Sequence, residues 1–319
     1  MSLSEVRERI RSGQYEIAAE EAEKLSRTAP GPGVVTEWAR ALLRGGRLDD
    51  AATVGARAAA DGPDGALVWV DILLARGAVA EAWVGAEACV ASAVASGSAA
   101  EAAKARCRWA SVLISRGELH QALGEVEGAL RSAEEAGDTL DWDERMGIRS
   151  THAEALLRLE CWQEARAVWR TLRAEARARL PDGHPELATL DDHLGLCLCR
   201  LGEPLRALRL HEAAARSWAH RGPAHPGRSA NLHHQGQALR RLGRLRDAAE
   251  RLAEAARLTE RLVGRGHPDL WISRFELGRV LFDLGEVGEG VAMMEEAREV
   301  LTRTLGPLHP TVSRMAALL

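Results

Sequence analysis

The chain has 319 residues, of which 46% are hydrophobic and 28% are charged, and its formal net charge is -4. This balance is ordinary for a globular chain and lacks the strong positive charge typical of nucleic-acid-binding domains. The most apolar region, 66–94, is interrupted by Asp71, Arg76 and Glu87, so the sequence predicts no membrane span. Residues 1–23 lack an apolar signal core, and we expect a cytoplasmic protein.

A turn residue followed five positions later by a small residue recurs eight times. The intervals between turns are 33, 31, 40, 43, 42, 41 and 42 residues, a period typical of helical solenoids, whose units bury their apolar faces against their neighbours. We therefore predict eight helix-turn-helix units, each with a helix A before the turn and a helix B after it. The turn residues are Gly13, Gly46, Gly77, Gly117, Glu160, Gly202, Gly243 and Gly285, and the small residues are Ala18, Ala51, Ala82, Ala122, Ala165, Ala207, Ala248 and Gly290.

A second small residue lies seven positions before the turn in most units, where it would let helices A and B approach closely. These residues are Ala39, Ala110, Ala153, Gly195, Gly236 and Gly278. The combined pattern resembles the tetratricopeptide repeat over nearly all of the chain. The chain departs from the pattern at Glu160 in its turn, at Gly290 in place of alanine, and at Gln235 in place of leucine.

Four His-Pro pairs mark the second half of the chain, at intervals of 41, 42 and 42 residues. Proline is tolerated in the first turn of a helix and pushes the preceding residue out of the helix, so each pair predicts the start of a helix A. We interpret these histidines as helix-start residues. This regular recurrence of His-Pro pairs resembles the kinesin-light-chain type of tetratricopeptide repeat. The pairs are His184-Pro185, His225-Pro226, His267-Pro268 and His309-Pro310.

The resemblance implies an all-α, right-handed superhelical solenoid of about eight helix pairs plus a C-terminal helix. We expect one solenoid over 1–319, with shorter repeats in 1–100 and repeats of about 42 residues in 101–310. Residues 311–319 are predicted to be a terminal helix or a truncated repeat that packs near Met294. The apolar end of this helix also predicts self-association.

The resemblance further implies a concave groove lined by helix A residues two, three, six, nine and ten positions before each turn. Five arginines stand among the eight residues two positions before the turns, which favours an acidic or carboxylate-terminated peptide as the partner. A solvated rim of flexible arginines is the alternative. The predicted partner-binding residues are Arg40, Arg44, Glu154, Arg158, Asp192, His193, Arg200, His233, His234, Gln237, Arg240, Arg241, Phe275, Arg279 and Phe282.

Metal, cofactor and catalytic functions are not predicted. The five cysteines include no CxxC pair and no HExxH sequence is present, so we expect no metal site, and His193, His233 and His234 are interpreted as groove-lining. No nucleotide-binding or hydrolase motif occurs, which predicts a protein that is not an enzyme and needs no cofactor. The basic cluster around Arg240 and Arg241 suggests nucleic-acid binding as a further hypothesis. Acidic residues interleaved with the arginines disfavour that hypothesis.

The sequence thus predicts a non-catalytic scaffold that holds a protein or peptide in its groove, as an adaptor or as the regulatory arm of an effector. A peptide-sensing regulator that changes conformation on binding is the alternative.

Overall fold

A computed structural model describes residues 2–219 and 225–319. Within them the chain forms seventeen α-helices, one short 3-10 helix at Gly137–Thr139 and no strand, so the predicted all-α fold is confirmed. Helices α1 to α16 form eight consecutive pairs, and α17 follows them. The helices are α1 (Leu3–Arg11), α2 (Tyr15–Thr28), α3 (Val34–Arg44), α4 (Leu48–Ala58), α5 (Pro63–Ala75), α6 (Val79–Ser96), α7 (Ala99–Arg116), α8 (Leu119–Glu135), α9 (Trp142–Arg158), α10 (Trp162–Arg177), α11 (Pro185–Arg200), α12 (Pro204–Ala219), α13 (Pro226–Arg241), α14 (Leu245–Val263), α15 (Pro268–Asp283), α16 (Val287–Leu305) and α17 (Pro310–Ala316).

The chain divides into two compact units, residues 1–168 and 169–319, here called unit 1 and unit 2. Unit 1 contains α1 to α9, unit 2 contains α11 to α17, and α10 spans the division. Each unit is described by itself. The single solenoid over 1–319 stays a prediction.

All eight predicted turn residues adopt the left-handed backbone conformation, with φ between 65° and 93°. In every turn the next residue donates its N–H to the carbonyl four residues before the turn residue, as Arg47 does to Leu42 at 2.9 Å. This bond closes helix A with a Schellman motif, which requires a positive φ and therefore favours glycine. Glu160, with φ 65°, is the one described residue other than glycine with a positive φ.

The predicted small residues form the contact between helices A and B. The seven alanines five positions after the turns have no exposed surface. At Gly290 a Cβ atom would lie 2.7 Å from the carbonyl oxygen of Gly278, and the same distance separates a Cβ at Gly278 from the Gly290 carbonyl. At Gly236 a Cβ would lie 2.5 Å from Cγ of Leu252, so any larger residue would force the Leu252 side chain or its helix to move.

The A helices of the two units begin with different caps. In unit 2 the Nδ1 atoms of four histidines accept backbone N–H groups two residues ahead at 3.0 to 3.2 Å, which satisfies otherwise unpaired donors of the first helical turn. In unit 1 side-chain oxygens of Ser2, Ser98 and Asp141 accept backbone N–H groups three residues ahead. The interpretation of the His-Pro pairs as helix starts is confirmed, and these histidines are His184, His225, His267 and His309.

Helix α6 is long and apolar enough to cross a membrane by length and composition, with a mean hydropathy of 1.2 over Val79–Ser96. It carries Glu81 and Glu87, and it packs against α5 and α7 as helix B of the third pair. Its buried residues Ala82 and Ala86 share an apolar cluster with Val70 and Val112. These contacts are typical of helix B of a repeat. That the protein does not bind a membrane remains a prediction.

Helix α17 packs against α16 at the position expected from the sequence. Val312 and Met315 are buried in one apolar cluster with Met294, Ala297 and Leu301. The inner side of α17 therefore completes the core of unit 2. Self-association through this helix stays a prediction.

Candidate functional site

Unit 1 contains a pocket of about 300 Å³ that is lined only by A helices and the N-cap of α9. Helices α1, α3, α5, α7 and α9 each contribute, which places the predicted residues Arg40 and Arg44 on a shared concave surface. The lining residues are Arg7, Ile10, Arg11, Glu37, Arg40, Arg44, Asp64, Leu67, Val68, Lys104, Arg108, Asp141, Asp143, Glu144 and Gly147.

Most cationic groups of this pocket are paired with carboxylates of the pocket itself. Glu37, only 3% exposed, accepts from Nε of Arg7 at 3.0 Å and from Nη1 of Arg40 at 2.8 and 2.9 Å. Nζ of Lys104 lies 2.6 Å from a carboxylate oxygen of Asp64. A buried carboxylate needs such partners because charge is costly to remove from water, so these pairs hold the wall together.

Two further arginines of the pocket form ion pairs, one with the lining residue Asp141 and one with Asp71, which lies outside the lining. The guanidinium of Arg108 lies 3.1 Å from Asp71, whose charge raises the pKa of Arg108, and Arg11 lies 3.4 Å from Asp141. Asp143 forms neither a hydrogen bond nor an ion pair with the described residues. Burial, reinforced by neighbouring carboxylates, raises the pKa of Asp143, while Arg44 and Arg11 oppose that rise.

Glu154 and Arg158, both predicted to bind a partner, pair with each other along α9. Nη2 of Arg158 lies 3.2 Å from Oε1 of Glu154, and neither residue lines the pocket. Such an exposed i,i+4 pair stabilises a helix by only ~0.3–0.5 kcal/mol, so both groups remain accessible to a partner.

In unit 2, two of the predicted arginines are held by carboxylates of α15. Nε of Arg240 lies 2.7 Å from Oδ2 of Asp283, and Nη1 of Arg279 lies 3.1 Å from both oxygens of Glu276. These pairs link or stiffen the C-terminal ends of A helices. They leave Arg240 and Arg279 less available than the sequence suggested.

Three other arginines lie on different A helices of unit 2. Arg200 is the last residue of α11, Arg241 is the last residue of α13, and Arg314 lies in α17. The pKa of half-buried Arg200 is lowered, chiefly by burial and then by the positive charge of Arg314, with Arg241 adding to the effect and Glu276 opposing it. Among the described residues, Arg241 and Arg314 form no ion pair.

Asp192 was predicted on the groove surface but is 5% exposed and lies inside unit 2. One carboxylate oxygen accepts from Nδ1 of His211 at 2.8 Å and Nδ2 of Asn231 at 2.6 Å, and the other accepts from Nε1 of Trp218 at 3.1 Å. These donors belong to α12 and α13, so the carboxylate ties three helices together. The prediction of Asp192 as a partner-binding residue is therefore corrected.

The predicted histidines lie beside this network. The ring of His193 stacks on Trp169 with centroids 4.4 Å apart, and the ring of His234 lies 5.4 Å from that of His211. His233 contacts Ser273 through Nδ1 and Gln237 through Nε2, both at 3.0 Å. All three are half-buried, and their contacts join neighbouring repeats.

Side-chain atoms of Asp192, His211 and His234 lie within 4.8 Å of one another, which would suit a metal ion by distance alone. Both carboxylate oxygens of Asp192 already accept N–H groups, and Nδ1 of His211 is one of these donors. These bonds form a buried hydrogen-bonded network, in which Nε2 of His211 has no hydrogen-bond partner among the described residues.

The two phenylalanines predicted to bind a partner differ in burial. Phe275 is 1% exposed and packs in the core with Leu270 and Met294, which corrects its prediction as a partner-binding residue. Phe282 is 46% exposed at the end of α15, where it remains accessible.

The sequence pattern did not predict a role for Glu37, His211 or Arg314. Repeat position offered a signal for His211, because it stands nine residues after its turn, as Trp169 does after Glu160. Both contact a histidine nine residues before the next turn.

Comparisons with known proteins agree with the repeat architecture. One tetratricopeptide-repeat model matches residues 186–261, and a second matches 3–66 and 234–306, so that together they span more than half of the chain. No curated protein sequence matches this chain.

Solved structures with a similar fold have low sequence identity. The Cut9–Hcn1 hetero-tetramer of APC/C aligns with a TM-score of 0.66 and 13% identity over 99% of this chain and 54% of that one. A Rap protein complexed with Competence and Sporulation Factor aligns with a TM-score of 0.61 and 12% identity over 99% and 97%. The putative kinesin light chain repeats of Podosopora anserina align with a TM-score of 0.47 and 22% identity over 63% and 95%.

Proposed function

Because the chain belongs to the tetratricopeptide repeat family, we propose that it is a non-catalytic scaffold that holds a protein or peptide against its A helices. The observation that carries this proposal is the pocket of about 300 Å³ in unit 1, to which five successive A helices contribute. A concave surface built from many repeats suits an extended chain, because each repeat presents side chains at a regular interval.

The paired charges of this pocket support a binding role over a catalytic one. Glu37 is engaged by Arg7 and Arg40, and Arg108 is engaged by Asp71. A general acid or base must be able to exchange a proton with a substrate, whereas each of these carboxylates is already bound by guanidinium groups. They can still donate their remaining N–H groups to the backbone or side chains of a bound peptide.

In unit 2 we propose that Arg200 and Arg241 face an acidic group of the partner. Like charges that face each other across a groove repel, and an anion placed between them relieves that repulsion. The adaptor role and the cytoplasmic location predicted from the sequence remain part of this proposal.

The test is selection of nonapeptides from a random display library on the immobilised full chain. Replacing Arg200 and Arg241 together by glutamate should remove acidic peptides from the selected pool. Replacing Arg246 and Arg257 by glutamate is the matched control, because both are exposed residues of the outer helix α14. Binding by the parent should weaken as salt rises. An unchanged pool from the first variant would place the binding surface elsewhere.

A peptide-sensing regulator is the second candidate. It is favoured by the similarity in fold to a Rap protein whose structure contains Competence and Sporulation Factor, although that similarity is one of fold alone. Small-angle scattering with and without a selected peptide separates the two roles. A sensor should change its radius of gyration on binding, whereas a simple adaptor should keep it.

Self-association through α17 is also proposed. Leu308, Leu318 and Leu319 are 90%, 46% and 50% exposed, next to the buried Val312 and Met315. Sedimentation of the parent beside a variant with these three leucines replaced by serine should show a shift from dimer to monomer. A parent that is monomeric at high concentration would contradict the proposal.

A further inference from the structure

One carboxylate of the unit 1 pocket differs from the others in its contacts. Five carboxylates line the pocket, and four of them form ion pairs with cations of the same wall. These four belong to Glu37, Asp64, Asp141 and Glu144. Asp143, the second residue of α9, forms neither a hydrogen bond nor an ion pair within the described part of the chain. Both of its carboxylate oxygens are therefore open to a ligand.

Asp143 is not needed to cap its own helix. Oδ1 of Asp141 accepts the N–H of Glu144 at 2.9 Å, and Oε2 of Glu144 accepts the N–H of Asp141 at 2.9 Å. This capping box satisfies the donors at the helix start without Asp143. Burial raises the pKa of the Asp143 carboxyl group, and Arg44 and Arg11 oppose the rise without forming an ion pair with it. A cationic ligand would supply the partner that this half-buried carboxylate lacks.

The pocket gives access to α9 next to this carboxylate. Gly147 also lines the pocket and follows Asp143 by four residues, so the two lie on the same face of the helix. A Cβ atom on Gly147 would have no neighbour within 4 Å, so a ligand can approach the helix closely at this point. Leu67 and Val68 line the same pocket with their buried side chains. The pocket thus offers apolar surface to a methylene chain and a carboxylate to the charged group at its end.

We propose that the unit 1 pocket binds a primary ammonium group of the peptide and that Asp143 recognises it. This inference rests on the proposed peptide-binding function and names the chemical class of the group that enters the pocket. An ammonium group is a compact charge with three N–H donors, whereas a guanidinium group is planar and larger. The wall already holds the guanidinium groups of Arg7, Arg40 and Arg108, which favours the smaller cation. A lysine side chain and a peptide N-terminus both carry such a group.

The experiment measures binding to the full chain by fluorescence anisotropy, with nonapeptide libraries that differ in their amines. The first library has lysine at the centre and an acetylated N-terminus. The second has acetyl-lysine at the centre and a free N-terminus, and the third is acetylated at both places. One of the first two should bind about tenfold more tightly than the third, because hydrogen bonds between charged groups are among the strongest in proteins. The tighter of the two identifies the source of the ammonium group.

Two variants with matched controls separate the charge from the space. Asp143→Asn should remove the preference for the amine, while Asp138→Asn, at an exposed site of the 3-10 helix, keeps it. Gly147→Leu should also remove the preference, because its side chain fills the pocket, and it should keep the helix because leucine is the better helix former. Gly124→Leu is the control, since Gly124 is exposed on α8 and a Cβ there also has no neighbour within 4 Å.

The other outcomes overturn the inference in distinguishable ways. Equal binding of the three libraries would leave the scaffold proposal standing and remove the ammonium site. A preference that survives Asp143→Asn or Gly147→Leu would place the amine outside this pocket. Tighter binding of the fully acetylated library would mean that the cations of the wall, and not Asp143, select the ligand. If no library binds, the scaffold proposal and the ammonium site both fail.

Discussion

Unit 1 and unit 2 are built from the same repeat but treat charge differently. Most cations that line the pocket of unit 1 form ion pairs with neighbouring carboxylates. Glu37, which is 3% exposed, pairs with two arginines. Unit 2 places its carboxylates elsewhere, with Asp192 buried among N–H donors and Asp283 bound to Arg240. Arg241 and Arg314 form no ion pair with the described residues. One repeat scaffold therefore uses its carboxylates in two different ways.

The two units also differ in how their A helices begin and how closely they pack. Unit 2 uses imidazole caps and glycines at the helix contact, whereas three of the five A helices of unit 1 have serine or aspartate caps, and unit 1 has alanines such as Ala110 at the contact. Glycine lets a larger residue of helix B come in, as His211 does over Gly195, where a Cβ would lie 2.6 Å from the ring. The buried polar network of unit 2 depends on that space.

The largest effect is expected at the alanine contacts, where the two units should behave alike. Ala207→Leu in unit 2 and Ala122→Leu in unit 1 should each cost ~1–3 kcal/mol, because both sites have no exposed surface and an added isobutyl group forces the helices apart. Arg241→Leu, on an exposed site, is the control and should be nearly neutral. Denaturant unfolding measures all three, and unchanged stability of both alanine variants would contradict the observed packing.

The caps should differ in chemistry but little in strength. His267→Ala in unit 2 and Ser98→Ala in unit 1 should each cost ~1 kcal/mol, because each leaves one backbone N–H without its acceptor. His267→Asn should restore most of the loss, since the asparagine oxygen can accept the same bond. Thermal unfolding measures the effect. If the His267→Ala variant is as stable as the parent, the imidazole does not stabilise the start of the helix.

The turn of the fifth pair offers a stabilising change. Glu160 holds φ at 65°, where a side chain costs roughly 1–2 kcal/mol, and the seven other turns have glycine. Glu160→Gly should therefore stabilise unit 1 by up to about 1 kcal/mol, less the extra freedom of glycine in the unfolded chain. Gly202→Glu is the reciprocal control and should destabilise unit 2. A destabilised Glu160→Gly would show that the glutamate side chain has a role of its own.

The smallest effect on stability is expected from replacing Asp143, the carboxylate in the unit 1 pocket that forms no ion pair with the described residues. Its pKa is raised above the ordinary value of 3.8, so the folded protein holds this proton more tightly than the unfolded chain. That contribution is present at low pH and is lost as pH rises through the raised pKa. Asp143→Asn should thus gain roughly 0.5 kcal/mol or less near pH 7 and nothing near pH 3.

Asp138→Asn, at an exposed site in the 3-10 helix, is the control for this comparison. Melting temperatures of both variants across that pH range measure the difference. A gain that is equal at both ends of the range would assign the effect to something other than titration of Asp143.

The sequence by itself determined the number of helix pairs, the turn residues, the helix starts and the small residues at the helix contacts. These features repeat because each depends on a few neighbouring residues: a left-handed turn needs glycine, a proline needs the first helical turn, and close helices need a missing side chain.

Only the tertiary structure decided which groove residues are available to a partner. The pair Arg7–Glu37 joins residues 30 positions apart, and the pair Arg11–Asp141 joins residues 130 positions apart. Such contacts depend on how successive repeats curve, which follows from packing summed over many residues and not from any one motif. For the same reason Asp192 and Phe275 occupy groove positions in the repeat pattern but are buried in the folded chain.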